Sequence, residues 1–335
     1  MNQAEPEALF GAGALESIPD VHRFSHQAMA TTFEAIIQYE DALYAGQAAQ
    51  AAFDEVDRLE ARLSRYVENS DVARLNSLRA NTPLPVAIET FECLDLSARM
   101  HQQTNGAFDV TIGTVLDCWR DENKQFRVPD DEELAAARRV TGMDLIHLDG
   151  SAFTVEVERS GVRVDLGGIG KGYALDRVAS LLREWSIERA LIHGGYSSVL
   201  ALDSPFGGGG GWPVTFSDPA NRSRRLASLG LVNRAMSGSG VQKGRHIIDP
   251  RTGRPAEGKC AGWVCTAQAG PADALSTAFM VMGVEEIARY CQRHRDVSAL
   301  LIVERQRDGR VCREVLHFGD WTEATWLVND GTVGE

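Results

Sequence analysis

Hydrophobic and polar positions alternate from His26 to Gln38, setting Phe33, Ala35 and Ile37 against Thr32, Glu34 and Ile36, which predicts one strand. The period then lengthens. Ala48, Ala52, Val56, Leu59 and Leu63 recur at helical spacing and predict an amphipathic helix over about 45–64. Turn chemistry from Leu63 to Asp71 closes it, and a short helix to Asn76 follows. Phe91, Leu94 and Ala98 mark another helix, from Thr90 to Gln103, stopped at Asn105-Gly106. Residues 120–145 are charged and predict a helical insertion. The β-runs Phe153–Val157 and Gly161–Leu166 predict a hairpin around Arg159-Ser160-Gly161. A glycine-rich turn leads into a helix through Ala174, Val178, Leu181, Leu182 and Trp185. The strand Arg189–Ile192 ends at His193-Gly194-Gly195.

In the second half, Gly207–Gly211 reads as a loop tip, with strands over Trp212–Phe216 and across 225–237. His246–Gly253 reads as a strand running into a tight turn. Pro271 is the expected first residue of a helix to about Met282, and Val284–His294 makes another. A hairpin of Ser298–Glu304 and Arg310–Phe318, turned by Asp308-Gly309, ends the pattern. Strands and helices do not alternate strictly, so the expected class is α+β with largely antiparallel sheets. Residues 1–22 read as a loose leader. Residues 23–335 read as a folded body of two lobes, roughly 23–200 and 201–335.

Length and charge narrow the function. A chain of 335 residues with 44% hydrophobic positions can bury a large core. Its net charge of −13 argues against nucleic acid as a partner, so an anionic ligand must be held by local amides, a few cations or a metal. Six cysteines without a C-x-x-C pair point to scattered buried thiols in a reducing compartment. The sequence shows no signal peptide and no apolar run long enough to span a membrane, so a soluble, cytoplasmic protein is expected.

Two segments carry the chemistry. Asp165-Leu-Gly-Gly-Ile-Gly-Lys-Gly172 places bare backbone amides and one lysine between a strand and a helix. Asp273 and Thr277, four residues apart, share one helical face and suit a diphosphate and its Mg²⁺. The first segment is not a Walker A loop, since Asp165 stands in the first glycine position and Gly172 follows the lysine. It is not a dinucleotide fingerprint either, because Tyr173 takes the place of the third glycine. Each segment has a plainer reading. The glycine turn also suits an ordinary strand-to-helix connection, and Asp273 near the third helical position would satisfy free amides and the helix dipole. His246 beside two isoleucines is equally a packing residue, and Tyr66 a rim aromatic.

Their joint occurrence changes the balance. With Met29-Ala-Thr31, Leu63-Ser-Arg-Tyr66, Ser70, Asn76, Gly106–Gly113, Trp212-Pro-Val, Ser239-Gly240 and His246–Gly253 in register, the chain resembles the ApbE family of FAD:protein FMN transferases. The resemblance implies a tandem T-fold-like architecture with FAD in the cleft between the lobes. It also implies Mg²⁺-dependent transfer of FMN from FAD to a threonine or serine hydroxyl of an acceptor flavoprotein, with release of AMP. By the same resemblance, Gly168, Asp273 and Thr277 would hold Mg²⁺. Met29, Tyr66, Ala107, Phe108, Asp109, Asp165, Lys171 and Ile248 would contact FAD. His246 is the candidate base for the incoming hydroxyl, with Asp249 a candidate to orient it. Ala30 stands where the family usually has glycine. The rival readings are a Mg²⁺-dependent FAD diphosphatase and a non-catalytic FAD-binding protein.

Overall fold

The computed structural model describes residues 18–195, 197–207, 210–241, 246–307, 310–321 and 324–326. The leader through residue 17, part of the Gly207–Gly211 tip and the Asp308-Gly309 turn lie outside them. In chain order, β1 (Val21–Ala28), β2 (Thr31–Gln38), α1 (Ala42–Leu63), α2 (Asp71–Leu75), β3 (Leu84–Pro85), α3 (Ile88–Gln103), α4 (Gly113–Cys118) and α5 (Asp131–Arg138) come first. β4 (Ile146–Asp149), β5 (Thr154–Val157), α6 (Gly170–Glu184), β6 (Ala190–Gly194) and β7 (Ser198–Ala201) follow. The rest is β8 (Trp212–Asp218), β9 (Asn221–Leu231), β10 (Arg234–Gly240), β11 (Ile248–Asp249), β12 (Arg254–Pro255), β13 (Lys259–Thr266), α7 (Ala269–Val281), α8 (Val284–Arg293), β14 (Ser298–Arg307), β15 (Arg310–Phe318) and β16 (Ala324–Trp326).

One eight-stranded sheet, ordered β1-β2-β6-β7-β10-β13-β14-β15, organises the molecule. Every neighbouring pair in it is antiparallel, as the α+β reading expects. Strand alternation sorts its side chains into two cores. Phe33, Ala35, Ile37, Ile192, Leu200, Ala235, Val264 and Leu301 join the core shared with the helices. Ile36, Leu191, Val199, Met236, Cys265 and Leu300 face the other way, onto a core completed by Trp212, Val214 and Phe216 of the small sheet β16-β9-β8. Helix α1 buries Ala45, Ala48, Ala52, Val56, Leu59 and Leu63 and is capped by Asp41, whose carboxylate accepts the Leu43 and Tyr44 amides. None of the six cysteines forms a disulfide, and five of them are buried.

Four expectations need correction. The segment 26–38 is not one strand: β1 and β2 form a hairpin that reverses at Met29 and Ala30, with φ of 48° and 56°. Positive φ at both positions is the backbone of a two-residue type I′ turn, which normally draws asparagine or glycine, so no turn signal stands in the sequence. Ala30 is exposed, and a left-handed L-residue costs about 1–2 kcal/mol. Ala30→Gly is therefore expected to stabilise the fold by about 0.5–1 kcal/mol after the entropy of a freer unfolded chain is subtracted. A urea midpoint that stays put or falls would contradict this.

The second correction is at 153–166. β5 pairs with β4 and β3, while Gly161–Leu166 runs extended beside residues 110–113, with the Asp165 amide donating to the Val110 carbonyl at 2.7 Å. Alternation marked a buried extended segment but not its partner. Third, the only α-helix in the 120–145 stretch is the short α5, followed by a 3₁₀ turn at Met143–Leu145. Fourth, α7 starts at Ala269, not at Pro271. Proline is tolerated in the first turn, where its missing N–H leaves no bond unmade.

Candidate functional site

The first turns of α6 and α7 cross in backbone contact. A Cβ on Gly172 would overlap the Ala269 carbonyl oxygen and lie 2.8 Å from Asp273 Cβ, so only a bare backbone fits there. This crossing brings two segments a hundred residues apart face to face. The Gly172 amide donates to Asp273 Oδ2 at 3.0 Å, and Lys171 Nζ stands 3.8 Å from that same oxygen. Lys171 Nζ also donates to the Gly167 carbonyl at 3.3 Å. Because α7 starts early, Asp273 lies in its second turn. It caps none of that helix's own amides, contrary to the plainer reading of it.

The capping falls to Asp176 of α6, whose two oxygens accept the Ala269 and Gly270 amides at 2.7 and 2.8 Å. Burial pushes this carboxyl up to about 6 against the pull of those two amides, and the nearby charge of Asp273 adds to the rise.

Asp273 is buried at 3% exposure, and Ser198 of β7 donates to its Oδ1 at 3.4 Å. One turn on, Thr277 Oγ1 lies 3.3 Å from Ser239 Oγ of β10, which also meets Ser276 Oγ at 2.8 Å. The glycine turn closes the ring. A Cβ on Gly168 would sit 3.3 Å from both Thr277 Oγ1 and the Phe108 ring. Ser237 Oγ, fully buried two residues before Ser239 on the same face of β10, has no partner among the described residues.

Asp273, Thr277 and the backbone at Gly168 offer hard oxygen donors. No group of three or more His, Cys, Asp or Glu among the described residues could hold a metal.

The other candidate residues surround this cluster. Arg65 links two of them: its guanidinium donates to Asp165 Oδ2 at 3.0 Å and to both oxygens of Asp117, and lies 5.5 Å from the Tyr66 ring centroid. Asp165 also accepts the Gly167 amide at 2.8 Å, which shapes the glycine turn. Tyr66 is 68% exposed, with Lys124 Nζ 5.4 Å from its ring centroid. Ala107, Phe108 and Asp109 are buried after the left-handed Asn105-Gly106 stop.

Met29 and Ile248 stand outside the hydrogen bonds of the cluster. Met29 donates its amide to Glu60 at 2.7 Å, and Ile248 packs with Val115, Trp119 and Leu134. His246 is exposed at the head of the segment leading into β11. Asp249 is committed to Arg251, which reaches its carboxylate through Nε at 3.0 Å and Nη2 at 3.1 Å.

Sequence reasoning missed Ser198, Asp117 and His101. Ser198 had a readable signal, a hydroxyl opening the apolar run Val199–Leu202. The other two depend on partners far along the chain.

Fold and site together define an α+β protein in which two helix N-terminal turns cross beside one lysine, one buried carboxylate and several hydroxyls. The chain belongs to the ApbE family, whose profile matches residues 29–301. It is 28% identical over 309 residues to the FAD:protein FMN transferase of Vibrio cholerae serotype O1, spanning 88% of this chain and 90% of that one. The FAD:protein FMN transferase of Klebsiella pneumoniae is 30% identical over 271 residues, 76% of this chain and 75% of its own. Among solved structures, the ApbE protein of Thermotoga maritima superposes with a TM-score of 0.76 at 27% identity, over 84% of this chain and 94% of that one.

Proposed function

We propose that this enzyme transfers the FMN half of FAD to a threonine or serine hydroxyl of an acceptor flavoprotein and releases AMP. The observation that carries the reading is the convergence of Gly168, Lys171, Asp273 and Thr277 from two distant segments. Asp273, Thr277 and the backbone at Gly168 would hold Mg²⁺, which when bound neutralises charge on the diphosphate and on the departing AMP. Lys171 supplies a second positive charge to the same phosphates. Met29, Tyr66, Ala107, Phe108, Asp109, Asp165 and Ile248 line the FAD, which lies where residues 23–200 meet residues 201–335. Tyr66, largely exposed, offers a ring face to the flavin, worth about 0.5–1.5 kcal/mol beyond burial.

In the step itself, the acceptor oxygen forms a bond to the FMN phosphorus as the anhydride bond to AMP breaks. The hydroxyl proton passes to His246. The nucleophile arrives on another protein, so the site needs no activated serine or cysteine of its own. Six cysteines outside any disulfide, five of them buried, support a reducing, cytoplasmic setting. No helix among the described residues is long and apolar enough to cross a membrane.

The decisive experiment incubates the protein with FAD, Mg²⁺ and a candidate acceptor and weighs the acceptor. The expected product carries one FMN per acceptor site, and His246→Ala forms it about 10²-fold or more slowly while still binding FAD. Free FMN and AMP beside an unmodified, verified acceptor would identify a diphosphatase, and intact FAD a non-catalytic binder. A His246→Ala rate equal to wild type would remove that residue as base.

A further inference from the structure

Near the C-terminal end of α3 stands a histidine that none of the family motifs contains. His101 Nδ1 lies 3.1 Å from the Phe108 carbonyl oxygen and 3.2 Å from the Asp109 carboxylate. A carbonyl oxygen only accepts, so Nδ1 carries a proton and the ring titrates at Nε2. Asp109 is itself held by the protein: its Oδ1 accepts the Thr111 amide at 2.8 Å and the Thr111 hydroxyl at 2.6 Å, leaving Oδ2 for His101. That carboxylate, 3% exposed, organises the loop around it. The loop in turn bears on the glycine turn, since the Phe108 ring comes within 3.3 Å of where a Cβ on Gly168 would stand. The imidazole also abuts the left-handed Gly106, where a Cβ would lie 3.5 Å from His101 Cε1 and 3.9 Å from Arg251 Cγ.

We propose that His101 is a positioning residue for the cofactor: paired with Asp109, it holds the Ala107–Phe108 wall against the glycine turn, and FAD is retained only as well as that wall is held. The proposal rests on the reading of Ala107 and Phe108 as FAD-lining.

A pH dependence follows. The hydrogen bond that His101 donates to Asp109 raises the His101 pKa above the ordinary imidazole value, and the charges of Asp109 and Asp144 act in the same direction against the effect of burial. The charged groups facing the ring are Asp109, Asp144 and, across Gly106, Arg251. Below that raised pKa an imidazolium balances the buried carboxylate. As pH climbs through it the ring turns neutral, the buried pair loses its positive member, and the wall loosens. FAD affinity should therefore fall on the alkaline side.

The test measures FAD dissociation constants from flavin fluorescence, without acceptor or Mg²⁺, between about pH 6 and about pH 9, with thermal melts alongside. Wild type is expected to weaken severalfold along a one-proton curve. His101→Asn, whose amide donates to the same carbonyl but does not titrate, is expected to bind with a flat profile. His101→Ala is expected to bind about tenfold more weakly at the acid end, the loss of one charged hydrogen bond. His101→Asn retaining the wild-type curve, or His101→Ala binding like wild type throughout, would overturn the proposal while leaving the FAD reading intact. If His101→Ala does not fold, the asparagine variant decides alone. A wild-type protein that binds no FAD at any pH would overturn both.

Discussion

Asp273→Asn is expected to lower FMN transfer by about 10³-fold or more, because a metal holding the diphosphate contributes several kcal/mol and each 1.4 kcal/mol is a factor of ten in rate. Asparagine keeps the shape of the side chain and one carbonyl oxygen. The Gly172 amide, now bonded to Asp273 Oδ2 at 3.0 Å, thus retains an acceptor, and the melting temperature should move little. What disappears is the negative charge, and with it the sole carboxylate of the proposed oxygen set. Lys171, 3.8 Å from that oxygen, also loses its counter-charge and would further disfavour a divalent cation. Asp273→Ala should do the same to transfer and in addition lose about 1–3 kcal/mol of stability through the unmade bond to Gly172. Two readouts separate metal binding from folding: single-turnover transfer, and the rise in melting temperature that Mg²⁺ gives in the presence of ADP. Wild type should show that rise and Asp273→Asn should not. Transfer by Asp273→Asn at more than a tenth of the wild-type rate would sink the metal role.

Helices with a buried stripe were readable because one stripe is a local property. Ala48, Ala52, Val56, Leu59 and Leu63 fall on the buried face of α1, and the Asn105-Gly106 stop after α3 is left-handed at both residues. The glycine turn and the Asp273-Thr277 spacing were readable for the same reason, since bare amides and an i, i+4 oxygen pair are written within a few residues. The hairpin at Met29-Ala30 was not, because its turn uses two residues that usually avoid positive φ. Residues 161–166 announced burial but not their neighbour, and their main-chain partners lie some fifty residues earlier in the chain.

The site shows the same division. Donor types were visible, while the groups that hold the donors in place were not. Asp176 caps α7 across ninety-three residues, Arg65 ties the Tyr66 turn to Asp165 across a hundred, and His101 acts through a loop that folds back on its own helix. These partnerships depend on the packing of α3, α6 and α7, which no local window of sequence contains.

That packing has one point of least tolerance, and it supplies the second large effect. Gly172→Ala is expected to cost about 3 kcal/mol or more, at or beyond the upper end of ordinary overpacking. The added methyl meets backbone on the Ala269 side and Asp273 Cβ at 2.8 Å on the other, so no side-chain rotation relieves it and α6 must part from α7. Separating the two first turns stretches the Gly172–Asp273 hydrogen bond, draws the Asp176 carboxylate away from the Ala269 and Gly270 amides, and moves Lys171 off the site. Loss of stability and loss of transfer should therefore arrive together. The same chemical change at Gly46 provides the contrast. There a Cβ meets only the Phe24 ring edge at 3.6 Å, within α1, and alanine should stabilise by up to about 1 kcal/mol through helix propensity. Urea unfolding of the two variants should give midpoint shifts of opposite sign. If Gly172→Ala unfolds at the wild-type midpoint with transfer intact, the helix crossing is not what assembles this site.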